Sequence, residues 1–162
     1  MFKDSDTLSI VIPLVSLPEA LIAKSALEQV TIKAAAKRAT PSQIMKLKAS
    51  LEEQREAAAE NKFDDFNQAA EAFHELIASI ASYASIWGMI KQLKVQIDST
   101  RLLILQDTGV MTMTLEEHAL IVKAIENKDP EIASSCMDEH MERVEKKTVE
   151  EWKKFPEYFI QS

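Results

Sequence analysis

Glycine, cysteine and long apolar runs are all scarce in this chain of 162 residues. It has only two glycines beside many Ala, Leu, Ile, Glu and Lys residues, a balance that indicates an all-helical protein. The single cysteine, Cys136, excludes an internal disulfide and is typical of the reducing cytoplasm. No apolar run approaches the roughly 20 residues that span a bilayer. The apolar stretch 8–17 contains Pro13 and lacks a basic start, so it does not fit a signal peptide.

Positive charge is in the minority. The chain has 19 Lys and Arg residues against 26 Asp and Glu residues, which gives a formal net charge of -7. Binding of nucleic acid requires Lys and Arg clustered on one surface, because these residues neutralise the phosphates. The basic residues here are scattered along the sequence. We therefore expect neither nucleic acid nor a membrane to be a partner of this chain itself.

What the sequence does contain is a series of helical patterns separated by short breaks. Capping-box signals begin at Ser16 and Thr40. Apolar residues at three- and four-residue steps predict helices over approximately 16–38, 40–60, 64–81, 85–106, 114–127 and 130–155. Short connections between neighbouring helices are typical of an antiparallel bundle. We therefore expect an all-α domain over 16–155, with an N-terminal tail or linker remnant over 1–15 and a short tail over 156–162.

The segment 114–144 predicts a helical hairpin. Thr114 and Glu117 form a capping-box pattern, in which the threonine caps the first turn and the glutamate reaches back to it. Asp129 suits the N-cap of the following helix, and Pro130 suits its first position. We therefore expect one helix to begin at Thr114 and a second to begin at Pro130, with a tight break between them.

The three histidines of the chain, His74, His118 and His140, all fall on predicted apolar faces. His118 and His140 lie about 15 Å on either side of the break, at ~1.5 Å per helical residue, so an antiparallel hairpin would bring both rings to one height. A lone buried histidine is usually structural, but burying three is costly without partners, and a shared divalent metal would satisfy them. The residues alone leave three interpretations open: a metal-dependent binding module, a metal-dependent hydrolase, and a structural helical adaptor with histidines in its core.

The order of these motifs resembles that of a known family. An FH pair ending at His74, an EH pair ending at His118 with AI-x3-DP behind it, and then His140 resemble the FCD domain, the effector-binding domain of FadR-branch GntR-type transcription regulators. The resemblance covers roughly residues 17–145. It implies an antiparallel bundle of six or seven helices around a cavity, where three histidines and an Asp or Asn hold a divalent metal beneath an organic acid. The implied metal ligands are His74, His118 and His140, and zinc or nickel suits such a nitrogen-rich set.

Two positions depart from the family pattern. The family's Asp or Asn four residues before the first histidine is replaced by Ala70, so Glu71 or, less directly, Asn67 is the candidate fourth ligand. The first helix of the family offers an arginine to the acid's carboxylate, whereas this chain has Lys24, a point charge rather than a bidentate fork. Arg101, in the fourth predicted helix, is the other candidate for binding the carboxylate.

The resemblance also implies a function and an assembly. We expect a cytoplasmic homodimer that senses a small carboxylate through bound metal and regulates transcription, without being an enzyme. Regulators of this family carry an N-terminal winged helix-turn-helix domain, and nothing before Ser16 is long enough to form one. The chain is therefore expected to be either a piece of a longer regulator or a sensor domain without DNA binding.

Overall fold

A computed structural model describes residues 17–104 and 108–154, and these ranges contain helices joined by short turns, with no strand. Their helices are α1 (Leu17–Arg38), α2 (Pro41–Ala59), α3 (Phe63–Ile80), α4 (Ala84–Ile104), α5 (Thr108–Glu126) and α6 (Pro130–Lys154). The predicted all-α bundle is therefore confirmed. The predicted tails over 1–15 and 156–162 lie outside the described residues. Within the described ranges, no helix combines the length and the apolar content that a membrane crossing needs.

Two of the predicted helix starts are confirmed by their hydrogen bonds. Before α2, Thr40 Oγ1 accepts a hydrogen bond from the backbone N–H of Gln43 at 3.3 Å. Gln43 Oε1 in turn accepts one from the backbone N–H of Thr40 at 2.9 Å, which completes the capping box. Before α6, Asp129 Oδ1 accepts from the backbone N–H of Ile132 at 3.0 Å, and Pro130 is the first residue of that helix.

The predicted start of a helix at Thr114 is wrong. Helix α5 begins at Thr108, so Thr114 and Glu117 lie inside it and form no capping box. Thr114 is buried, and its hydroxyl accepts a hydrogen bond from Arg143 Nη2 of α6 at 2.8 Å. The same Thr-x-x-Glu spacing that caps a helix also presents two polar groups on one helical face, and here that face meets α6.

Three helices end in a left-handed residue that is not glycine. The positive φ angles are 54° at Asn61, 62° at Ser82 and 53° at Lys128. At each position, the residue's own N–H bonds to the carbonyl three residues back and the next N–H bonds to the carbonyl five residues back, at 2.9–3.2 Å. This pattern is the Schellman motif, which satisfies the last carbonyls of a helix. It makes the turns after α2, α3 and α5 tight although glycine is scarce.

The main core is formed by α1, α2, α3, α5 and α6. Its largest fully buried apolar side chains include Phe73, Ile77, Ile121, Ile125 and Met137. Helix α1 packs against α3, α4, α5 and α6, so its inner face meets residues from most of the bundle. Five helices (α1, α3, α4, α5 and α6) line one cavity beside this core.

Candidate metal and effector site

Three buried histidines from three helices meet on the cavity wall. His74 comes from α3, His118 from α5 and His140 from α6, and one ring nitrogen from each lies within 4.8 Å of the other two. Nε2 of His118 and Nε2 of His140 are 3.4 Å apart. The hairpin formed by α5 and α6 thus brings these two rings to the same height, as the sequence predicts.

Each of the three rings has an oxygen atom of another helix against its Nδ1 nitrogen. The pairs are His140 with Glu117 Oε2 at 2.6 Å, His118 with Gln54 Oε1 at 2.7 Å, and His74 with Glu28 Oε1 at 3.2 Å. A carboxylate or amide oxygen can only accept a hydrogen bond, so Nδ1 carries the ring proton in His118 and His140. The lone pair of these two rings is then on Nε2, the atom that binds a metal when Nδ1 is held in this way. His74 Nδ1 and Glu28 Oε1 are close enough for an ion pair but do not have the geometry of a hydrogen bond.

The pair of His140 and Glu117 is held in place by Arg143. The guanidinium Nη2 of Arg143 donates to Glu117 Oε2 at 2.7 Å, and its Nε donates to Oε1. Burial raises the pKa of Glu117, but the hydrogen bonds from His140 and Arg143 outweigh it and leave the pKa below its usual value. Burial lowers the pKa of His140 to about 4, against the opposing effect of Glu117. The ring is therefore neutral near pH 7, the form in which imidazole binds metals.

His118 is also fixed by an aromatic contact. The ring of Phe73 stacks on it with centroids 4.3 Å apart and planes inclined by 19°. Because Phe73 and His118 are both fully buried, neither ring has room to turn away. The position of the imidazole is therefore set before any ligand arrives.

Two buried charges of α1 complete this side of the site. Glu28 is fully buried, and its Oε1 lies 3.3 Å from Lys24 Nζ as well as beside His74. Burial would raise the pKa of Glu28, but the neighbouring His74 ring and the Lys24 ammonium outweigh it and lower the pKa to about 2. Lys24 Nζ also contacts Met141 Sδ at 3.6 Å. The structure thus brings the predicted Lys24 into the site, at the cavity wall.

The cavity beside the histidines is small, with a free volume of about 20 Å³. Besides the histidines, its polar wall residues are Lys24, Glu28, Glu71, Trp87, Lys94 and Thr114. Lys94 on α4 is 5% exposed, and its Nζ lies 2.8 Å from a Glu71 carboxylate oxygen. A pocket with two buried lysines and a few other polar groups suits a small anion.

Comparison with known proteins settles the family. The model of the FCD domain matches residues 19–143 of the chain. The chain belongs to the FCD domain family. This confirms the resemblance drawn from the sequence, and FCD domains of GntR-type regulators bind small-molecule effectors.

The relatives of this FCD domain include transcription regulators. The HTH-type transcriptional repressor RspR of Escherichia coli K12 is 28% identical over 121 residues, which are 75% of this chain and 53% of the repressor. The HTH-type transcriptional regulator YdfH of Shigella flexneri matches with the same 28% identity and the same coverage of 75% and 53%. The structure of Escherichia coli McbR/YncC has a TM-score of 0.79 at 20% identity, covering 86% of this chain and 70% of that one. The chain spans about half the length (53%) of the curated relatives it matches.

The structure shows where most of the residues that depart from the family pattern lie relative to the cavity. Ala70 is buried on the cavity wall, where it offers no ligand atom. Glu71 lines the cavity but pairs with Lys94 and does not belong to the group of converging histidines. Asn67 is half-buried and lies outside the cavity wall. The side chain of Arg101 lies outside the described residues, so its role stays a prediction.

Sequence reasoning missed several polar residues of this site, three of which are almost fully buried. Glu28, Gln54 and Lys94 are charged or polar side chains that are at most 5% exposed. On a helical pattern such residues indicate a solvated face, because charged side chains are rarely buried unless they are paired. For Glu28 a signal existed: it follows Lys24 by one helical turn, among apolar positions of α1. The sequence contains no comparable signal for Gln54 or Lys94.

Proposed function

We propose that this FCD domain is the sensing domain of a transcription regulator and that it binds a small carboxylate beside a divalent metal held by His74, His118 and His140. The proposal depends above all on the three buried rings, whose Nδ1 atoms all face oxygen acceptors while ligand nitrogens converge. Two neutral rings with their Nε2 lone pairs 3.4 Å apart repel each other. A cation between them would remove that repulsion.

The distance between two of the three rings fits a metal of the zinc type. With bonds of roughly 2.0–2.1 Å, tetrahedral coordination separates two ligand nitrogens by about 3.3 Å. The Nε2 atoms of His118 and His140 are 3.4 Å apart. An all-imidazole set suits zinc or nickel better than the oxygen-seeking ions magnesium and calcium. Bound metal would supply a positive centre for an anionic oxygen.

The surrounding charges favour an anionic effector. Three neutral imidazoles cancel none of a metal's positive charge, and Ala70 adds no carboxylate. Lys24 and Lys94 add two buried cations to the cavity wall, although Glu28 and Glu71 pair with them. A small mono- or dicarboxylate would place one oxygen over the histidines and turn another towards Lys24.

Regulation would follow from the position of the site between helices. The histidines and their acceptors come from α1, α2, α3, α5 and α6. A bound effector would therefore affect the packing of these five helices against one another. Such an effector shifts the equilibrium between two helix arrangements only by its difference in affinity for them. We propose that this shift reaches an attached DNA-binding domain or a second copy of the chain in the cytoplasm.

A metal-dependent hydrolase is the rival function. Hydrolysis at such a site needs a general base, but Glu28 Oε1 and Glu117 Oε2 both face histidine Nδ1 atoms. The curated relatives are transcription regulators. We therefore propose that the chain is not an enzyme, and we expect no turnover of simple esters, amides or phosphates by metal-loaded protein.

The metal proposal is tested by elemental analysis of protein purified without an affinity tag. We expect about one zinc or nickel ion per chain, and we expect His118→Ala to lose the ion and its share of thermal stability together, because a ligand that binds only the folded state stabilises it. Small carboxylates should raise the melting temperature of metal-loaded protein only. Absence of metal, with stability unchanged by a strong chelator, would refute the site.

Replacing Ala70 tests the charge argument. Ala70→Asp would add a carboxylate at the buried cavity position, so we expect tighter metal binding and at least tenfold weaker carboxylate binding by titration calorimetry. Ala69→Asp is the control, because it adds the same charge one residue away, at a position that does not line the cavity. Equal carboxylate affinity for the native chain and Ala70→Asp would contradict the mechanism.

A further inference from the structure

Glu28 has one carboxylate oxygen that is unpaired among the residues that the structure describes. Its Oε1 lies 3.2 Å from His74 Nδ1 and 3.3 Å from Lys24 Nζ. Its Oε2 is buried and has no hydrogen-bond partner among the described residues. Buried polar atoms are almost always paired, and leaving one oxygen of a charged group unpaired is costly. Glu28 lines the cavity but its side chain is fully buried, so a molecule bound there reaches Oε2 once the neighbouring side chains move aside.

Trp87 offers a second unpaired group on the same cavity wall. Its side chain is buried on α4, and its indole Nε1 has no hydrogen-bond partner among the described residues. The indole N–H can only donate, whereas a carboxylate oxygen can only accept. Away from the histidine nitrogens, the cavity wall thus presents an unused acceptor at Glu28 and an unused donor at Trp87.

We propose that Glu28 determines which effectors bind, by accepting a hydrogen bond at Oε2 from a hydroxyl or ammonium group carried by the carboxylate. The inference rests on the proposed function, since it concerns the ligand of that site. Oε1 positions His74 and Oε2 selects the ligand, so one side chain serves both tasks. A plain carboxylic acid leaves Oε2 unpaired, and a site that hydrogen-bonds a donor strongly rejects the analogue lacking it. The Trp87 N–H donates to a further oxygen of the same effector.

The ionised state of Glu28 supports this role. Lys24 Nζ lies 3.3 Å from Oε1, and this neighbouring positive charge favours the carboxylate form. At neutral pH the side chain is therefore a carboxylate and offers no hydrogen to a ligand. It discriminates in one direction only, in favour of ligands that bring a donor.

The test compares five three-carbon acids by titration calorimetry on the metal-loaded full chain. They are propionate, 2-hydroxypropionate, 3-hydroxypropionate, 2-aminopropionate and 3-aminopropionate. We expect at least one acid with a donor to bind tenfold or more tightly than propionate, and the hydroxy and amino series tell which donor is used. Five acids that bind within twofold of one another would overturn the proposal but leave the proposed carboxylate sensing intact. If none of the five binds the metal-loaded protein, the proposed function itself fails.

Glu28→Gln separates the two tasks of the side chain. The amide keeps an oxygen for His74 Nδ1 but replaces Oε2 with an NH2 donor, so we expect bound metal to stay and the preference over propionate to fall below twofold. Glu75→Gln, at an exposed position of α3, is the matched control and should keep the native preference. Trp87→Phe removes the unpaired N–H, and we expect it to weaken the preferred acid at least fivefold. Native preference in both Glu28→Gln and Trp87→Phe would overturn the assignment.

Discussion

At the scale of single residues, this site depends on side chains that hold the histidines. Gln54 is completely buried on α2, with its amide oxygen 2.7 Å from His118 Nδ1. The ring of Phe73 stacks against the flat face of the same His118 ring. Glu117 holds His140 in the same way and is itself clamped by Arg143. These partners fix the tautomer and direction of each ring, and so they should govern metal affinity although they touch no metal.

Gln54→Leu tests this dependence. The change removes the acceptor of the His118 Nδ1 proton while nearly conserving volume, and it also removes an amide nitrogen that has no partner among the described residues. We expect metal affinity to fall about 10–100-fold, the usual effect of losing such a partner, with the helical circular dichroism unchanged. Competition with a chromogenic chelator measures the affinity.

Gln68→Leu is the control for that experiment, because Gln68 is exposed on α3. We expect its metal affinity to match the native value. Equal affinities for Gln54→Leu and Gln68→Leu would mean that the contact with His118 does not hold the ring for the metal.

At the scale of elements, the helices are bounded by hydrogen bonds that need little glycine. Asn61, Ser82 and Lys128 take the left-handed conformation that closes a Schellman motif. This conformation brings Cβ close to the following carbonyl oxygen in any residue but glycine. The turn that joins α5 to α6 is one of the three, so the alignment of His118 with His140 depends on it. The three short turns therefore carry the steric cost of a left-handed residue that is not glycine.

Ser82→Gly should stabilise the chain. Ser82 is exposed with φ at 62°, and glycine adopts that angle without the steric cost. We expect the free energy of unfolding, measured by urea titration, to rise by about 0.5–1 kcal/mol. This is the steric gain minus the extra backbone entropy that glycine loses on folding. Ser79→Gly, at an exposed position inside α3, should instead lower it by roughly 0.5–1 kcal/mol. The interpretation is wrong if the two changes have the same sign.

At the scale of the whole molecule, apolar side chains remain on the outside of the bundle. Ile22 on α1 is 61% exposed, and Met89 and Val95 on α4 are 55% and 63% exposed. Helices α1 and α4 pack against each other, so these residues belong to neighbouring elements. The sequence also has Phe155, Tyr158 and Phe159 near its C-terminal end, which lie outside the described residues. These features favour contact with a second copy.

We therefore expect a homodimer in solution. Light scattering at micromolar concentration should give twice the chain mass of 18.2 kDa, because exposed apolar surface of this kind is stabilised when a partner covers it. The measurement should be repeated after removal of metal, since the proposed coupling between site and assembly predicts a weaker dimer then. A monomer mass under both conditions would contradict the prediction.

The sequence by itself determined the helices and the family. Periodicity, capping residues and breaks such as Asp129-Pro130 act within a few residues, and such local rules placed α2 and α6 within one or two residues of their observed starts. The equal spacing of His118 and His140 from the break put the two rings at one height in an antiparallel hairpin, and their positions on the apolar faces directed both to the core. The helix start predicted at Thr114 was wrong for the same reason. Local spacing does not distinguish a capping box from a buried polar contact such as that of Thr114 with Arg143.

Only the tertiary structure decided which side chains hold and surround the histidines. Helical periodicity assigns a residue to a face but not to a depth, and a charged residue is buried only when a partner from another helix compensates it. Glu28 is such a case, because His74 of α3 and Lys24 together keep it ionised in the interior. Gln54 and Lys94 became site residues through packing against α5 and α3, which their own sequence neighbourhoods do not specify. Local sequence was enough to single out the three histidines, whereas the orientation of their rings and the charges around them are properties of the assembled bundle.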